Sequence, residues 1–374
     1  GIYRGKAMKA LEGTNVAALC FALYPGSEKS DLQDLSNWIT ALFAADDCFD
    51  QKQAGGVVTS EFVKSRVDRK IELLDALLRQ FKGSNESDFT PVIDFREEDT
   101  QEVKALIIAA VPLLIKIHKH DIDFKRDDTS RQINSFFETT KTYLQSVIEE
   151  KKIEESLGKV DENIIMDIRN DSSGAVHAIK IGAWLTGYEI SEANTTYSVE
   201  HTLNTSTARQ IQLVNDIFSF GKECKQFLKE NPQKGIVEFI KESKFNNIAF
   251  KVQAKLEKVG DIKNLDIVIH SYIQAAYIEL LELINTVTKN ICEFSSNEIK
   301  RLNNKQHQLE EKGAASDTGL KEIESQIKLL NDYVAWARFQ LIWASYCARY
   351  NCTETSTEDS TQFIYNAICS FYEN

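Results

Sequence analysis

The stretch LFAADDCFDQ, residues 42–51, places Asp46, Asp47 and Asp50 in an otherwise apolar segment with helical periodicity. Carboxylates are among the side chains least often buried in proteins. On a helix, residues four apart point only about 40° apart, so Asp46 and Asp50 share a face and Asp47 lies beside them. Like charges at this spacing repel, whereas Mg²⁺ binds oxygen ligands such as one or two carboxylates plus substrate phosphates. The stretch therefore predicts either a solvated helix end or one wall of a metal site.

A second stretch, NDIFSFGKE at residues 215–223, favours the metal site. Asn215, Ser219 and Glu223 follow one another at intervals of four, so all three project from one side of a helix. An amide oxygen, a hydroxyl and a carboxylate form a second set of oxygen ligands, the kind that Mg²⁺ prefers. Lys222 adds a cation beside them. Two oxygen-rich helix faces in one chain indicate a site that binds cations and, through them, an anion.

Composition limits what that anion can be. The chain has 374 residues, 43% of them hydrophobic, which is enough for a large core, and its net charge of −12 argues against a nucleic-acid partner. The seven cysteines are scattered without metal-ligand spacing, which favours a reduced, cytoplasmic protein. The longest apolar run, ALIIAAVPLLIKI at residues 105–117, is too short to span a bilayer. We therefore expect neither nucleic-acid binding nor stable membrane insertion.

Apolar residues recur with helical periodicity along most of the chain, and breaks fall at clusters of turn and capping residues. The sequence predicts one all-α domain covering residues 1–374, and the highly charged segment 297–332 is expected to form a helical hairpin that extends from it. Helices are predicted at residues 31–52, 59–82, 99–119, 129–155, 161–171, 174–188, 197–229, 234–257, 265–312, 318–351 and 358–372.

Two other polar clusters receive simpler interpretations. Asp127 and Asp128 lack a third acid at the metal-binding spacing and precede a predicted helix, so they are expected to cap it. His118 and His120 flank a lysine and precede an acid, but no second ligand pair accompanies them. We expect surface histidines there and no zinc site.

Taken together, the two oxygen-rich stretches resemble the two metal-binding motifs of class I terpene synthases of the microbial, single-domain type. The resemblance extends beyond them, because Arg169 lies 46 residues before Asn215 (215 − 169), near the position of the family's diphosphate-sensing arginine. Further matching positions are Phe43 before the first aspartate, the pair Tyr24–Pro25 and the pair Arg349–Tyr350 near the C-terminus.

The resemblance implies an all-α fold around a central apolar pocket and a Mg²⁺-dependent ionisation of a prenyl diphosphate. Three Mg²⁺ ions are implied, with Mn²⁺ as a substitute. One wall would bind metal through Asp46 and Asp50, and the other through Asn215, Ser219 and Glu223. Asp47 would pair with a cationic side chain. The remaining diphosphate oxygens would be bound by Arg169, Lys222, Arg349 and Tyr350.

The pocket wall is expected to include Phe43, Ile211 and Trp343, with Ala208 as a further candidate. The other aromatic residues of the last long helix, Trp336, Phe339 and Tyr346, are expected to be core packing. Family members break a helix after the sensing arginine, and here Ser172, Ser173 and Gly174 occupy that position. Leu42 stands where the family often has an aromatic residue, which favours the C20 substrate geranylgeranyl diphosphate over the C15 farnesyl diphosphate.

The chain departs from the family in the 134 residues between Asn215 and Arg349 (349 − 215), a longer interval than usual, which we attribute to the hairpin. Few residues precede the first stretch, so the family's first helix is expected to be short or absent. The alternatives to a cyclase are a prenyl chain-elongating transferase and a catalytically inactive isoprenoid-binding helical protein. The cyclase is expected to act as a monomer or a homodimer.

Overall fold

The computed structural model describes residues 16–25, 27–47, 58–82, 89–124, 131–156, 162–187, 199–259, 265–312 and 316–346. Every regular element in these ranges is a helix, which confirms the predicted all-α fold. In chain order the helices are α1 Val16–Leu23, α2 Lys29–Asp47, α3 Ser60–Lys82, α4 Gln101–Asp123, α5 Arg131–Glu155, α6 Glu162–Ser172, α7 Ala175–Leu185, α8 Val199–Glu230, α9 Ile236–Glu242, α10 Asn247–Val259, α11 Leu265–Glu311 and α12 Asp317–Tyr346.

Several helices begin where a side chain satisfies a free backbone N–H of the first turn. The hydroxyl of Thr59 accepts from the N–H of Phe62 at the start of α3, and Thr100 does the same for Val103 at the start of α4. At the start of α9, the carboxylate of Glu238 accepts from the N–H of Gly235 at 2.8 Å. These contacts cap the three helices. Each of the three begins within two residues of its predicted start.

The first helix is present but short, since α1 has eight residues, and its buried Leu19 and Leu23 pack in the main core. Two other sequence expectations were wrong. The predicted helix 234–257 is two helices, because the chain leaves helical geometry at residues 243–246 between α9 and α10. His118 is buried, with its ring edge-on to Phe81 at 6.0 Å, and is not a surface residue, because its face of α4 points into the core.

The helices pack around two groups of buried side chains. The larger group draws on α1 to α5, α7, α8, α11 and α12, and includes Trp38, Phe136 and Trp336. The second group joins the C-terminal half of α8 to α9, α10 and α11 through residues such as Phe220 and Tyr277. Helix α8 therefore contributes to both groups, and its central residues are held between them.

Helix α11, with 47 residues, is about 70 Å long. It packs along α12, and both helices also contact α8. In the described ranges, no helix is both long and apolar enough to cross a membrane. The three cysteines whose state the structure gives, Cys20, Cys224 and Cys292, are free thiols.

Candidate active site

A cavity of about 360 Å³ opens between α2, α5, the junction of α6 and α7, α8 and α12. Such a volume lies within the range of small-molecule binding sites. Part of its lining is apolar and includes Leu42, Phe43 and Ile211. The rest is polar and charged. The polar and charged lining residues include Glu150, Arg169, Asn215, Ser219, Lys222 and Glu223.

Helix α8 brings the three oxygen-bearing side chains of the second stretch to this cavity. Asn215, Ser219 and Glu223 all line it, as their spacing of four requires. Burial raises the pKa of the Glu223 carboxyl, and the nearby charge of Asp216 acts in the same direction. Hydrogen bonds from Ser219 and Asn246 and the charge of Arg169 act against this rise.

Arg169, near the end of α6, also reaches the cavity and is almost completely buried. Its Nη2 donates to Oδ1 of Asp216 at 2.5 Å, and its Nη1 lies 3.9 Å from Oε1 of Glu150. Burial disfavours the charged guanidinium, but these two carboxylates outweigh it and raise the pKa of Arg169. Its Nε is buried without a hydrogen-bond partner among the described residues. A donor in that position suits an anionic ligand.

The break between α6 and α7 forms part of the same wall. Helix α6 ends at Ser172, α7 begins at Ala175, and Ser172, Ser173 and Gly174 line the cavity. Gly174 has φ +69°, a left-handed conformation that side-chain-bearing residues rarely adopt. The chain therefore turns sharply one residue after the pair of serines, and α7 leaves in a new direction.

The apolar wall differs in part from the sequence expectation. Phe43 and Ile211 line the cavity as predicted, but Ala208 is buried outside it. Trp336 was expected to be core packing, yet it also lines the cavity, with its ring edge-on to Tyr24 at 5.5 Å. Phe339 was also expected to be core packing, but it is 44% exposed on the outer face of α12.

The other predicted site residues are outside what the structure describes. The backbone of Asp46 and Asp47 forms the end of α2, and that of Trp343 lies in α12, but their side chains are not described. Asp50, Arg349 and Tyr350 lie wholly outside the described residues, as do Asp127 and Asp128. Their roles remain predictions.

Sequence reasoning missed the residues behind the site. Asp216, fully buried, bonds Arg169 on one side and Asn247 on the other. Asn246 contacts Glu223, and the two asparagines stand where the unpredicted break meets the start of α10. An acidic residue such as Asp216 within a helix that is otherwise expected to be buried could have indicated a buried polar contact. The local sequence does not indicate which distant residue makes that contact.

The donor set fits a divalent cation. The carboxylate, hydroxyl and amide of α8 meet in one cavity, and burial disfavours the charged Glu223. A cation beside that carboxylate would stabilise its charged form, and Arg169 is already paired with Asp216. Oxygen ligands of this kind suit Mg²⁺ or Mn²⁺.

Comparison with known families gives one match. The model described as terpene synthase family 2, C-terminal metal binding, matches residues 37–243, which is 207 residues (243 − 37 + 1) and just over half of the 374-residue chain. The matched segment contains both oxygen-rich stretches and Arg169. A comparison with curated protein sequences finds no match.

Three solved structures are similar to this chain over most of its length. One described as "Hedycaryol apo" is 14% identical, with a TM-score of 0.52 over 91% of this chain and 86% of that chain. An α-eudesmol synthase is 16% identical, with a TM-score of 0.49 over 91% and 86% of the two chains. Aristolochene synthase from Penicillium roqueforti is 14% identical, with a TM-score of 0.47 over 90% and 88%. At 14% identity, the similarity to the first of these structures shows the fold alone.

Proposed function

We propose, from the premise that this chain belongs to terpene synthase family 2 and is a terpene cyclase, that it is a Mg²⁺-dependent cyclase of geranylgeranyl diphosphate. The observation that carries the proposal is the cavity itself. Its lining brings Asn215, Ser219 and Glu223 together with Arg169, and it also includes apolar and aromatic side chains. A molecule with a diphosphate head and an isoprenoid tail suits a lining of both kinds.

The metal-binding residues would act at the diphosphate. We propose that three Mg²⁺ ions, with Mn²⁺ as a substitute, are held on one side by Asp46 and Asp50 and on the other by Asn215, Ser219 and Glu223 from α8. When bound, the ions supply Lewis acidity, which neutralises the charge that develops on the leaving group. Asp47 would pair with a cationic side chain when the site closes.

The chain's own cations would bind the remaining diphosphate oxygens. Arg169 and Lys222 both line the cavity, and Arg349 and Tyr350 are proposed to join them. Donors fixed in place before the reaction stabilise a leaving anion without further reorganisation. The allylic C–O bond then breaks, and its electron pair leaves with the diphosphate. No protein nucleophile is needed.

The apolar part of the lining would hold the carbocation away from water. Phe43 and Trp336 belong to it, and Trp343 is proposed to join them. Aromatic faces attract cations and cannot capture them as a water molecule would. The cation closes onto a double bond of its own chain, and loss of a proton yields a cyclic product.

The C20 substrate is favoured because Leu42 stands where relatives often carry an aromatic ring, and its side chain lines the cavity. A smaller side chain there leaves more room near the diphosphate. Replacing Leu42 by Phe should lower turnover of geranylgeranyl diphosphate more than that of farnesyl diphosphate. Exclusive use of farnesyl diphosphate by the wild type would contradict this proposal.

We also propose that residues 1–374 form one catalytic domain with the hairpin 297–332 as an extension. The chain is expected to act in the cytoplasm as a monomer or a homodimer, without nucleic acid and without stable membrane insertion. Size-exclusion chromatography with light scattering tests the oligomeric state. An assembly larger than a dimer would contradict this proposal.

The activity itself is tested with labelled C10, C15 and C20 prenyl diphosphates, with and without isopentenyl diphosphate, followed by gas chromatography–mass spectrometry. A cyclase gives cyclic products from the allylic substrate alone, whereas a chain-elongating transferase gives longer diphosphates only when isopentenyl diphosphate is present. Asn215→Ala should nearly abolish turnover while leaving helical circular dichroism intact. Asn304→Ala, an exposed change on α11, is the matched control.

A further inference from the structure

Two asparagines, Asn246 and Asn247, stand directly behind the oxygen-bearing face of α8. Asn246 is the last residue of the short break after α9, Asn247 is the first residue of α10, and both are at least 95% buried. Buried amides are found where hydrogen bonds satisfy them, because an unpaired amide in the interior is costly. The hydrogen bonds of these two side chains go either to α8 or to the start of α10.

The side chain of Asn246 touches three successive turns of the α8 segment. Its Nδ2 lies 3.1 Å from Oε2 of Glu223, 3.5 Å from Oγ of Ser219 and 3.1 Å from the carbonyl oxygen of Asp216. Two of these partners belong to the proposed metal ligands. The amide therefore limits the positions that the Glu223 carboxylate can take.

The orientation of this amide is determined by its other end. Oδ1 of Asn246 accepts from the backbone N–H of Ile248 at 3.0 Å, as a residue that caps a helix does. That N–H can only donate, so the oxygen must face it and the NH₂ must face the acceptors on α8. The side chain of Asn246 thus caps the start of α10 and also contacts α8.

Asn247 continues the contact toward Arg169. Its backbone N–H and its Nδ2 donate to Oδ2 of Asp216, at 2.9 Å and 2.5 Å. The other carboxylate oxygen of Asp216 accepts from Arg169. Asp216 is therefore held from both sides, and the position of the guanidinium depends on the same short break as the position of Glu223.

We propose that Asn246 and Asn247 are positioning residues of the metal and diphosphate site. Asn246 holds Glu223 and Ser219 in place for the metal, and Asn247, through Asp216, holds Arg169 in place for the diphosphate. The proposal rests on the proposed function. Partners behind metal ligands typically change metal affinity about 10- to 100-fold when removed.

The first test is Asn246→Ser. Serine can still accept from the N–H of Ile248 and begin the helix, but it has no NH₂ that reaches Glu223. The concentration of Mg²⁺ that gives half-maximal activity should rise about 10- to 100-fold. Calorimetric titration of Mn²⁺ in the presence of inorganic diphosphate, which involves no turnover, should show the same loss of affinity.

A second variant and a control complete the test. Asn246→Asp keeps the acceptor for Ile248 and should weaken metal binding like the serine variant, since its second oxygen cannot donate to Glu223. Asn304→Asp, in an exposed Asn–Asn pair on α11, should leave metal binding unchanged. Asn247→Ala should weaken binding of diphosphate more than binding of metal, because it acts on Arg169.

The outcomes separate this proposal from the proposed function. A wild type that releases diphosphate without metal, or not at all, would contradict the function. A metal-dependent wild type whose folded Asn246 variants bind Mn²⁺ with unchanged affinity would overturn the positioning role alone. Loss of cooperative unfolding in both Asn246 variants would also overturn it, because Asn246 would then serve the fold.

Discussion

At the scale of single residues, the contact between Arg169 and Asp216 combines structure with function. Both side chains are buried, and removing one partner of a buried ion pair leaves the other charge uncompensated. Asp216→Asn should lower the free energy of unfolding by roughly 3 kcal/mol, measured by urea denaturation.

The exposed pair Lys64–Asp68, with 51% and 55% of its side chains exposed, is the matched comparison. Asp68→Asn should lower the free energy of unfolding far less than Asp216→Asn, because solvent screens that pair. Equal losses in the two variants would mean that Asp216 is not an essential counter-charge for Arg169.

Trp343 is the residue on which we expect product identity to depend. If its ring faces the cavity, a desolvated cation–π contact contributes about 2 kcal/mol, which alters one step about thirty-fold. Trp343→Leu should then shift products toward acyclic and early-quenched compounds, with diphosphate release falling less than cyclic product. Trp343→Phe should do so less. Wild-type product ratios in both variants would place Trp343 in the core.

At the scale of helices, the break between α6 and α7 depends on Gly174. Its φ of +69° costs a side-chain-bearing residue about 1–2 kcal/mol, although a Cβ there would meet Tyr143 only at an ordinary 3.5 Å. Gly174→Ala should therefore destabilise the protein by about that amount in urea denaturation.

Gly221 provides a comparison of opposite sign. It lies within α8, and a Cβ there would have open space around it, with no neighbouring side chain of the described residues within 4 Å. Alanine is favoured over glycine inside a helix, so Gly221→Ala should stabilise the protein by up to about 1 kcal/mol. A Gly174→Ala protein as stable as the wild type would show that the break does not need the left-handed residue.

The helices also show how far sequence reasoning reaches. The interval of four between Asn215, Ser219 and Glu223 is local, so one helix suffices to bring them into one cavity. The break at residues 243–246 was missed because Asn246 is stabilised there by α8, about 25 residues earlier in the chain. The partner of Asp216 was missed for the same reason, since Arg169 meets it only after α6 packs near α8.

At the scale of the whole molecule, the buried His177 makes stability depend on pH. Burial lowers its pKa from 6.5 to about 3, with a smaller contribution from Lys180. Its Nε2 accepts from Nε1 of Trp38 at 3.0 Å, and its ring is surrounded by Phe136, Tyr143 and Trp184. The fold therefore keeps this histidine neutral, whereas the unfolded chain protonates it near pH 6.5.

Because the folded pKa is depressed, this contribution to stability is complete above about pH 6.5 and is lost as the pH falls from there toward 3. Between pH 7 and pH 5 the loss is roughly 2 kcal/mol. His177→Gln, which can still accept from Trp38, should remove this part of the pH dependence in urea denaturation. The exposed His270→Gln is the control, and the same pH dependence in both variants would contradict the assignment.

The central claim for the whole molecule is that metal bound at α8 drives ionisation of a prenyl diphosphate. The most direct measurement is release of diphosphate from geranylgeranyl diphosphate by the wild type and by Glu223→Gln, with Mg²⁺ and with EDTA, alongside mass spectrometry of the organic products. We expect the wild type with Mg²⁺ to release one diphosphate for each cyclic C20 product, and the other three combinations to be nearly inactive. Turnover by the wild type in EDTA, or by Glu223→Gln at the wild-type rate, would contradict the account.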